Sequence, residues 1–74
     1  MARETIEVPI TGKIISVEVK VGDVVQEGDV ICVIESMKME NPILAPVAGK
    51  ITEIKVSVGQ VVETGNLIAI IEYE

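Results

Sequence analysis

The feature that most constrains the fold of this chain is an internal repeat. Residues 9–36 align with residues 46–73 at a constant offset of 37 positions without a gap, and 13 of the 28 aligned pairs are identical. The identical pairs include all six glycines of the chain. Two copies are fewer than the three or more that a solenoid requires. We therefore predict a single domain, residues 1–74, with half-repeats at about 9–36 and 46–73 related by an approximate two-fold axis.

Each copy has the pattern of short β-strands separated by glycine turns. The chain contains 13 valines and 12 isoleucines but one aromatic residue, Tyr73, and β-branched side chains favour strands. No segment shows the 3.6-residue apolar period of an amphipathic helix. The predicted fold is all-β, a flattened β-barrel or sandwich of two small antiparallel sheets with about seven or eight strands. The apolar runs place these strands at 4–8, 14–19, 24–25, 30–36, 39–44, 51–58, 61–62 and 67–71.

Composition narrows the function. The chain has 12 acidic and 6 basic residues, a formal net charge of −6, and its cations are spread singly. Nucleic-acid binding is not expected, because phosphate neutralisation requires clustered cations. No apolar run approaches the roughly 20 residues of a membrane helix and the N-terminus lacks a signal-peptide core, so we expect a cytoplasmic protein without membrane insertion. The one cysteine, Cys32, lies in an apolar run and is predicted to belong to the core.

Catalysis by the chain itself is not expected. The sequence contains no histidine and no glycine-rich phosphate loop, and its glycines fall at turns between strands. We therefore predict neither a catalytic residue nor a metal site, and the chain is not expected to be an enzyme in its own right.

The segment between the two copies departs from the usual chemistry of a hairpin. Residues 35–41 read Glu-Ser-Met-Lys-Met-Glu-Asn and connect the predicted strands 30–36 and 39–44. A two-residue hairpin normally carries Gly, Asn or Asp at its centre, whereas this one carries Met37 and Lys38. Broken local preferences of this kind tend to mark functional positions.

A lysine at the apex of a hairpin presents its amine to solvent on a rigid base. By the internal symmetry, the counterpart of the hairpin is the gap between the two chain termini, so the tip and the termini are predicted at opposite ends of the molecule. Met37 and Met39 flank Lys38 and are expected to share a face if strand geometry continues through the tip. At least one of these two methionines is expected to be exposed.

These residues resemble the attachment motif of the biotinyl domain family, the biotin carboxyl carrier proteins and domains. The motif stands at residues 35–41, with its Met-Lys-Met core intact. The similarity covers essentially the whole chain, including the Pro-x-x-Gly-Lys openings at 9–13 and 46–50 and the Val-Gly-Asp-x-Val turn at 21–25. The family most often has alanine where this chain has Ser36. The constant repeat offset also leaves no room for the protruding thumb that some bacterial members insert.

The resemblance implies a barrel-sandwich hybrid fold and a biotin carboxyl carrier. It implies that a biotin protein ligase attaches biotin covalently to Lys38 and recognises Met37, Met39, Glu35 and Glu40. It further implies that the carrier shuttles carboxylate between the active sites of a biotin carboxylase and a carboxyltransferase. The parent assembly would be a biotin-dependent carboxylase or decarboxylase, whose acceptor substrate is set by other subunits.

Two alternatives remain at this point. A lipoyl carrier domain resembles this fold and also modifies a hairpin lysine, but its motif typically has an acidic residue before that lysine and a small one after it. The chain instead has Met37 and Met39 at those positions. The other alternative is a cofactor-free sandwich-hybrid interaction module, which needs no lysine at the apex.

Overall fold

The computed structural model describes all 74 residues. They form eight β-strands and no helix, and hence no helix that is long and apolar enough to cross a membrane. The strands are β1 (Ala2–Glu7), β2 (Gly12–Val17), β3 (Val24–Val25), β4 (Val30–Ser36), β5 (Met39–Leu44), β6 (Gly49–Ile54), β7 (Val61–Val62) and β8 (Leu67–Tyr73).

The strands form two four-stranded sheets in which every pairing is antiparallel. Sheet A has the order β1-β8-β6-β3, and sheet B has the order β5-β4-β2-β7. Neither sheet closes into a barrel, so the molecule is a sandwich of two small sheets. The predicted all-β fold class is confirmed.

The internal repeat is also a structural repeat. Each of the strands β5 to β8 begins and ends 37 residues after its counterpart among β1 to β4. The two-fold operation that relates the halves therefore exchanges sheet A with sheet B. Each sheet contains strands from both halves, because β3 pairs with β6 and β7 pairs with β2. The two half-repeats thus interlock.

The second strand of each half differs from the prediction. The sequence pattern places these strands at 14–19 and 51–58, but they span Gly12–Val17 and Gly49–Ile54. In both strands the register shifts just after the start of the apolar run, which leaves one residue unpaired in the manner of a β-bulge. Pairing with β4 or β8 resumes after the bulge and continues to the last residue of each strand. The strands begin before the apolar run because their first two residues pair with β7 or β3 of the other half.

The core lies between the sheets and is entirely apolar. No polar or charged side chain is buried, and Cys32 is 0% exposed, as predicted. Burial of each isoleucine stabilises the fold by about 1.5–3 kcal/mol, so equivalent isoleucines from the two halves supply much of the stability. These isoleucines are Ile14, Ile31 and Ile34 with their counterparts Ile51, Ile68 and Ile71, all at most 1% exposed.

The hairpin and the chain termini lie at opposite ends of the molecule, which measures 37 × 18 × 16 Å. Ala2 pairs with Tyr73, so the two termini are neighbours. Strand β2 begins beside Glu35 at the base of the hairpin. The segment after β2 reaches the other end, where the Gly22 amide donates to the carbonyl oxygen of Ile51 at 2.8 Å. The predicted separation of the tip from the termini is therefore observed.

Candidate functional site

The hairpin between β4 and β5 turns in two residues. Ser36 pairs with Met39, and Met37 and Lys38 alone form the loop. Their φ angles are +53° and +65°, and they are the only non-glycine residues of the chain in the left-handed region. Positive φ at both central positions matches the right-handed twist of the flanking strands, which is why two-residue hairpins use it. An L residue in this region costs roughly 1–2 kcal/mol, so the tip is strained.

The turn directs its side chains into solvent. Met37 is 88% exposed and Met39 is 67% exposed, and Lys38 is also exposed. The alternation that would place the two methionines on one face does not hold, because Met37 is in the left-handed conformation. Lys38 takes part in neither of the two ion pairs of the molecule, Arg3–Glu72 and Lys55–Glu53. Its amine is therefore accessible and uncommitted.

Two residues that belong to sequence motifs, but to which the sequence analysis gave no structural role, hold the base of the hairpin. The Asn41 side-chain amide donates to the carbonyl oxygens of Ile34 at 3.3 Å and Met39 at 3.2 Å, which ties β5 to β4 below the tip. Gly12 lets β2 approach β4, because a Cβ there would lie 2.7 Å from Cγ2 of Ile34 and would overlap the Glu35 carbonyl oxygen. In the sequence, the signal for Gly12 was its identity with Gly49 in the repeat. Neither glycine has a positive φ, so the close approach of the strands, not a turn, requires glycine at these positions.

The base of the hairpin also carries an unfavourable charge pair. Glu35 and Glu40 are direct strand partners, and both are exposed. At the equivalent place near the termini, Glu72 is the partner of Arg3, with 4.0 Å between the Arg3 Nε and a carboxylate oxygen. Like charges opposite each other destabilise a strand pair by a few tenths of a kcal/mol to about 1 kcal/mol. On their other sides, Glu35 and Glu72 have equivalent strand partners, Lys13 and Lys50. The difference between the two ends is therefore one position, where Glu40 at the tip end replaces the Arg3 of the ion pair.

The remaining chemistry of the chain offers no competing site. No group of His, Cys, Asp and Glu residues is arranged to hold a metal ion. The Cys32 thiol is enclosed in the core, and its burial raises its pKa from 9.0 to about 11, so the nucleophilic thiolate is suppressed. The arrangement at the tip presents one primary amine on a rigid support. This geometry suits covalent modification of the lysine by an external enzyme.

Known proteins are similar to this chain in sequence and in fold. The Biotin_lipoyl family, described as "Biotin-requiring enzyme", matches residues 4–71. The glutaconyl-CoA decarboxylase subunit gamma of Acidaminococcus fermentans is 52% identical over 40 residues, which cover 54% of this chain and 28% of that protein. The biotin carboxyl carrier protein of Streptococcus mutans is 47% identical over 44 residues, which cover 60% of this chain and 34% of that protein.

Solved structures agree with these sequence matches. The crystal structure of the Kluyveromyces lactis urea carboxylase superposes with a TM-score of 0.89 and 35% identity over 97% of this chain, which corresponds to 6% of that enzyme. The matched segments thus span about a third or less of each of these relatives. The chain belongs to the family of biotin-requiring enzymes. The resemblance to biotinyl domains is thereby confirmed.

Proposed function

We propose that residues 1–74 are one biotin carboxyl carrier domain and that biotin is attached to Nζ of Lys38. The observation that carries this proposal is the position of Lys38 at the apex of a two-residue hairpin, exposed and free of ion pairs. The other lysines are also exposed, but none of them lies in a tight turn between paired strands.

The tip fits a covalently bound biotin. In the proposed attachment the ligase supplies biotin as its acyl-adenylate, the neutral Lys38 amine attacks the acyl carbon, and the bond to AMP breaks as the amide forms. This step requires an amine that an enzyme active site can enclose. The chain has no histidine, and no side chain hydrogen-bonds to Lys38, so the group that takes up the lysine proton belongs to the ligase. Asn41 and Gly12 hold the base of the hairpin, so the proposed modification takes place on a supported turn.

Residues around the lysine are proposed to form the surface that a biotin protein ligase recognises. Met37 and Met39 expose flexible, polarisable thioethers, which adapt well to a partner's pocket. Glu35 and Glu40 add two adjacent carboxylates whose mutual repulsion a basic partner surface relieves. The exposed apolar side chains and the destabilising charge pair have no role in holding the fold together, which supports a role in recognition.

Biotin supplies a ureido nitrogen that accepts and releases carboxylate, and the protein supplies its placement. The partners that we propose are a biotin carboxylase and a carboxyltransferase, in line with the carboxylase and decarboxylase subunits among the relatives. The carrier works as part of that larger enzyme and has no catalytic residue of its own. We place it in the cytoplasm, where its single free thiol stays reduced.

The attachment site is tested by coexpression with a biotin protein ligase and measurement of the intact mass. The wild-type chain is expected to gain one biotinyl group, and Lys38→Arg is expected to gain none. Lys50→Arg serves as the matched control, because Lys50 is an exposed lysine at the opposite end of the molecule. Biotin on the Lys38→Arg variant contradicts the proposed site. A mass increase of lipoyl size after coexpression with a lipoyl ligase, with none from the biotin ligase, contradicts the proposed cofactor.

A further inference from the structure

The surface of the first half-repeat contains an open groove of about 590 Å³ away from the lysine. Its floor is made mainly of valines, including Val24, which is 72% exposed, and Val30, which is 38% exposed. Val33 also lines the groove and, like Val30, belongs to β4. Val33 lies three residues before Ser36, about 10 Å along the strand from the start of the turn. A partner seated in the groove would leave the tip free.

Three carboxylates line the groove together with these valines, and no cation is among the lining residues. They belong to Glu18, Asp23 and Asp29. Lys50 is the strand partner of Val24 but does not line the groove. The groove therefore combines an apolar floor with a negatively charged rim.

The negative charge of the rim is not required by the turns that carry it. The Asp23 carboxylate accepts a hydrogen bond from the Lys20 amide at 3.0 Å, and the Asp29 carboxylate accepts one from the Gln26 amide at 2.8 Å. In the second half-repeat the same two bonds are made by neutral side chains. The Gln60 oxygen accepts from the Ser57 amide at 3.1 Å, and the Asn66 oxygen accepts from the Glu63 amide at 2.9 Å. The turn geometry thus forms equally well without charge.

The second half-repeat lacks both properties of the groove. The position of Glu18 is taken there by Lys55, whose amine lies 2.9 Å from a carboxylate oxygen of Glu53. The positions of Val30 and Val33 are taken by the larger Leu67 and Ile70, and no second groove forms. The exposed valine is retained, since Val61 is 71% exposed. The same backbone therefore carries a negatively rimmed groove on one half and a filled, neutralised surface on the other.

We infer that this groove is the docking surface for an extended, basic segment of a protein partner, with aliphatic side chains on the valine floor and lysine or arginine on the rim. Charge complementarity selects this occupant, because the rim holds three carboxylates and no cation. A second copy of the chain is disfavoured as occupant, since it brings its own net charge of −6 and cations that are spread singly. The docking surface is independent of what Lys38 carries.

The inference is tested by NMR titration of the full chain with a short blocked peptide of alternating lysine and valine. Amide shifts are expected to change at Glu18, Val24 and Val30 and to remain unchanged at the equivalent residues of the second half. A matched peptide of alternating glutamate and valine is the ligand control and is expected to produce no change.

Two variants test the groove, and all of their substitutions except Glu18→Gln copy the residue at the equivalent position of the second half-repeat, whose backbone already accommodates it. In the first, Glu18→Gln, Asp23→Gln and Asp29→Asn together remove the charge and retain the turn hydrogen bonds. Affinity for the basic peptide is expected to fall by about tenfold, because three exposed ion pairs of modest strength are lost together. In the second, Val30→Leu with Val33→Ile fills the groove without changing charge and is expected to abolish the localised shifts.

Circular dichroism spectra that match the wild type establish that both variants are folded. Localised binding that both variants weaken supports the docking surface. The inference is overturned by shifts spread over all acidic surfaces, by equal binding of the acidic peptide, by the absence of any binding to the wild type, or by undiminished affinity in either variant.

Discussion

The strained hairpin predicts that this protein gains stability when the turn at Met37 and Lys38 is replaced by an ordinary one. Met37 and Lys38 occupy left-handed backbone conformations at φ +53° and +65°. The double substitution Met37→Asn with Lys38→Gly installs the residue pair that a two-residue hairpin of this type prefers. The perturbation leaves the core untouched, because both side chains point into solvent.

The magnitude follows from the backbone cost at the two positions. Each L residue with positive φ costs roughly 1–2 kcal/mol, and asparagine and glycine relieve most of this cost. Glycine returns about 0.5–1 kcal/mol of it through the greater flexibility of the unfolded chain. A net gain of about 1–2 kcal/mol remains. For a domain of this size each kcal/mol raises Tm by roughly 4–8 °C.

Urea unfolding and thermal melting measure the gain, and two single variants separate its causes. Met37→Asn alone retains the lysine and is expected to give about half of the stabilisation. Lys38→Arg retains the strained backbone and is expected to leave Tm unchanged while abolishing biotinylation. If the double variant melts at or below the wild-type temperature with an unchanged urea m-value, the turn is not strained and the reasoning fails.

Three further predictions test the support of the tip and the core. Gly12→Ala and Gly49→Ala are each expected to lower the free energy of unfolding by about 1–3 kcal/mol, because the added methyl group overpacks the strands. Only Gly12→Ala is expected to slow ligase modification of the folded protein. Equal modification rates in the two variants contradict the role of Gly12 under the tip. Burial raises the pKa of Cys32 from 9.0 to about 11, so between these pH values the thiol ionises in the unfolded chain but stays protonated in the folded protein. The contribution of the buried thiol to folding stability is therefore full below pH 9 and is lost as the pH rises toward 11. Urea unfolding across this range is expected to show an extra loss of about 2–3 kcal/mol in wild type relative to Cys32→Ala, and parallel pH profiles contradict it. Glu40→Arg is expected to raise the free energy of unfolding by about 0.2–1 kcal/mol and to weaken modification by the ligase, and a destabilised variant with normal modification refutes both statements.

The strands whose predicted and observed bounds agree are those in which pattern and pairing coincide. The sequence indicated 24–25, 30–36, 39–44 and 61–62, and these are the observed bounds of β3, β4, β5 and β7. The strands predicted at 14–19 and 51–58 begin earlier because their first two residues pair with β7 or β3 of the other half, which the apolar pattern does not reveal. Apolar alternation reports burial, whereas strand bounds depend on the partner that accepts each hydrogen bond.

The interlocking of the halves was also hidden in the sequence. Strands β3 and β7 have two residues each, which is too short for a pattern that distinguishes the sheet to which they belong. At the candidate site, the motif pointed to Lys38 and its neighbours, but it did not reveal how the turn is held. Asn41 acts through hydrogen bonds to backbone carbonyls, and Gly12 acts through the absence of a side chain. Both roles require the pairing register, which three-dimensional structure alone supplies.

Because the two halves have the same backbone fold, each half can be compared with the other within one molecule. Positions that are identical in both halves, such as Ile14 and Ile51, are buried alike and serve the fold. Where the backbone repeats but the chemistry differs, the fold cannot be the reason for the difference. Glu40 stands where the other half has Arg3, and the turn around Asp29 forms as well with a neutral amide in the other half. A duplicated sandwich can therefore acquire an exposed lysine turn at one end and a negatively charged groove on one face without altering its core.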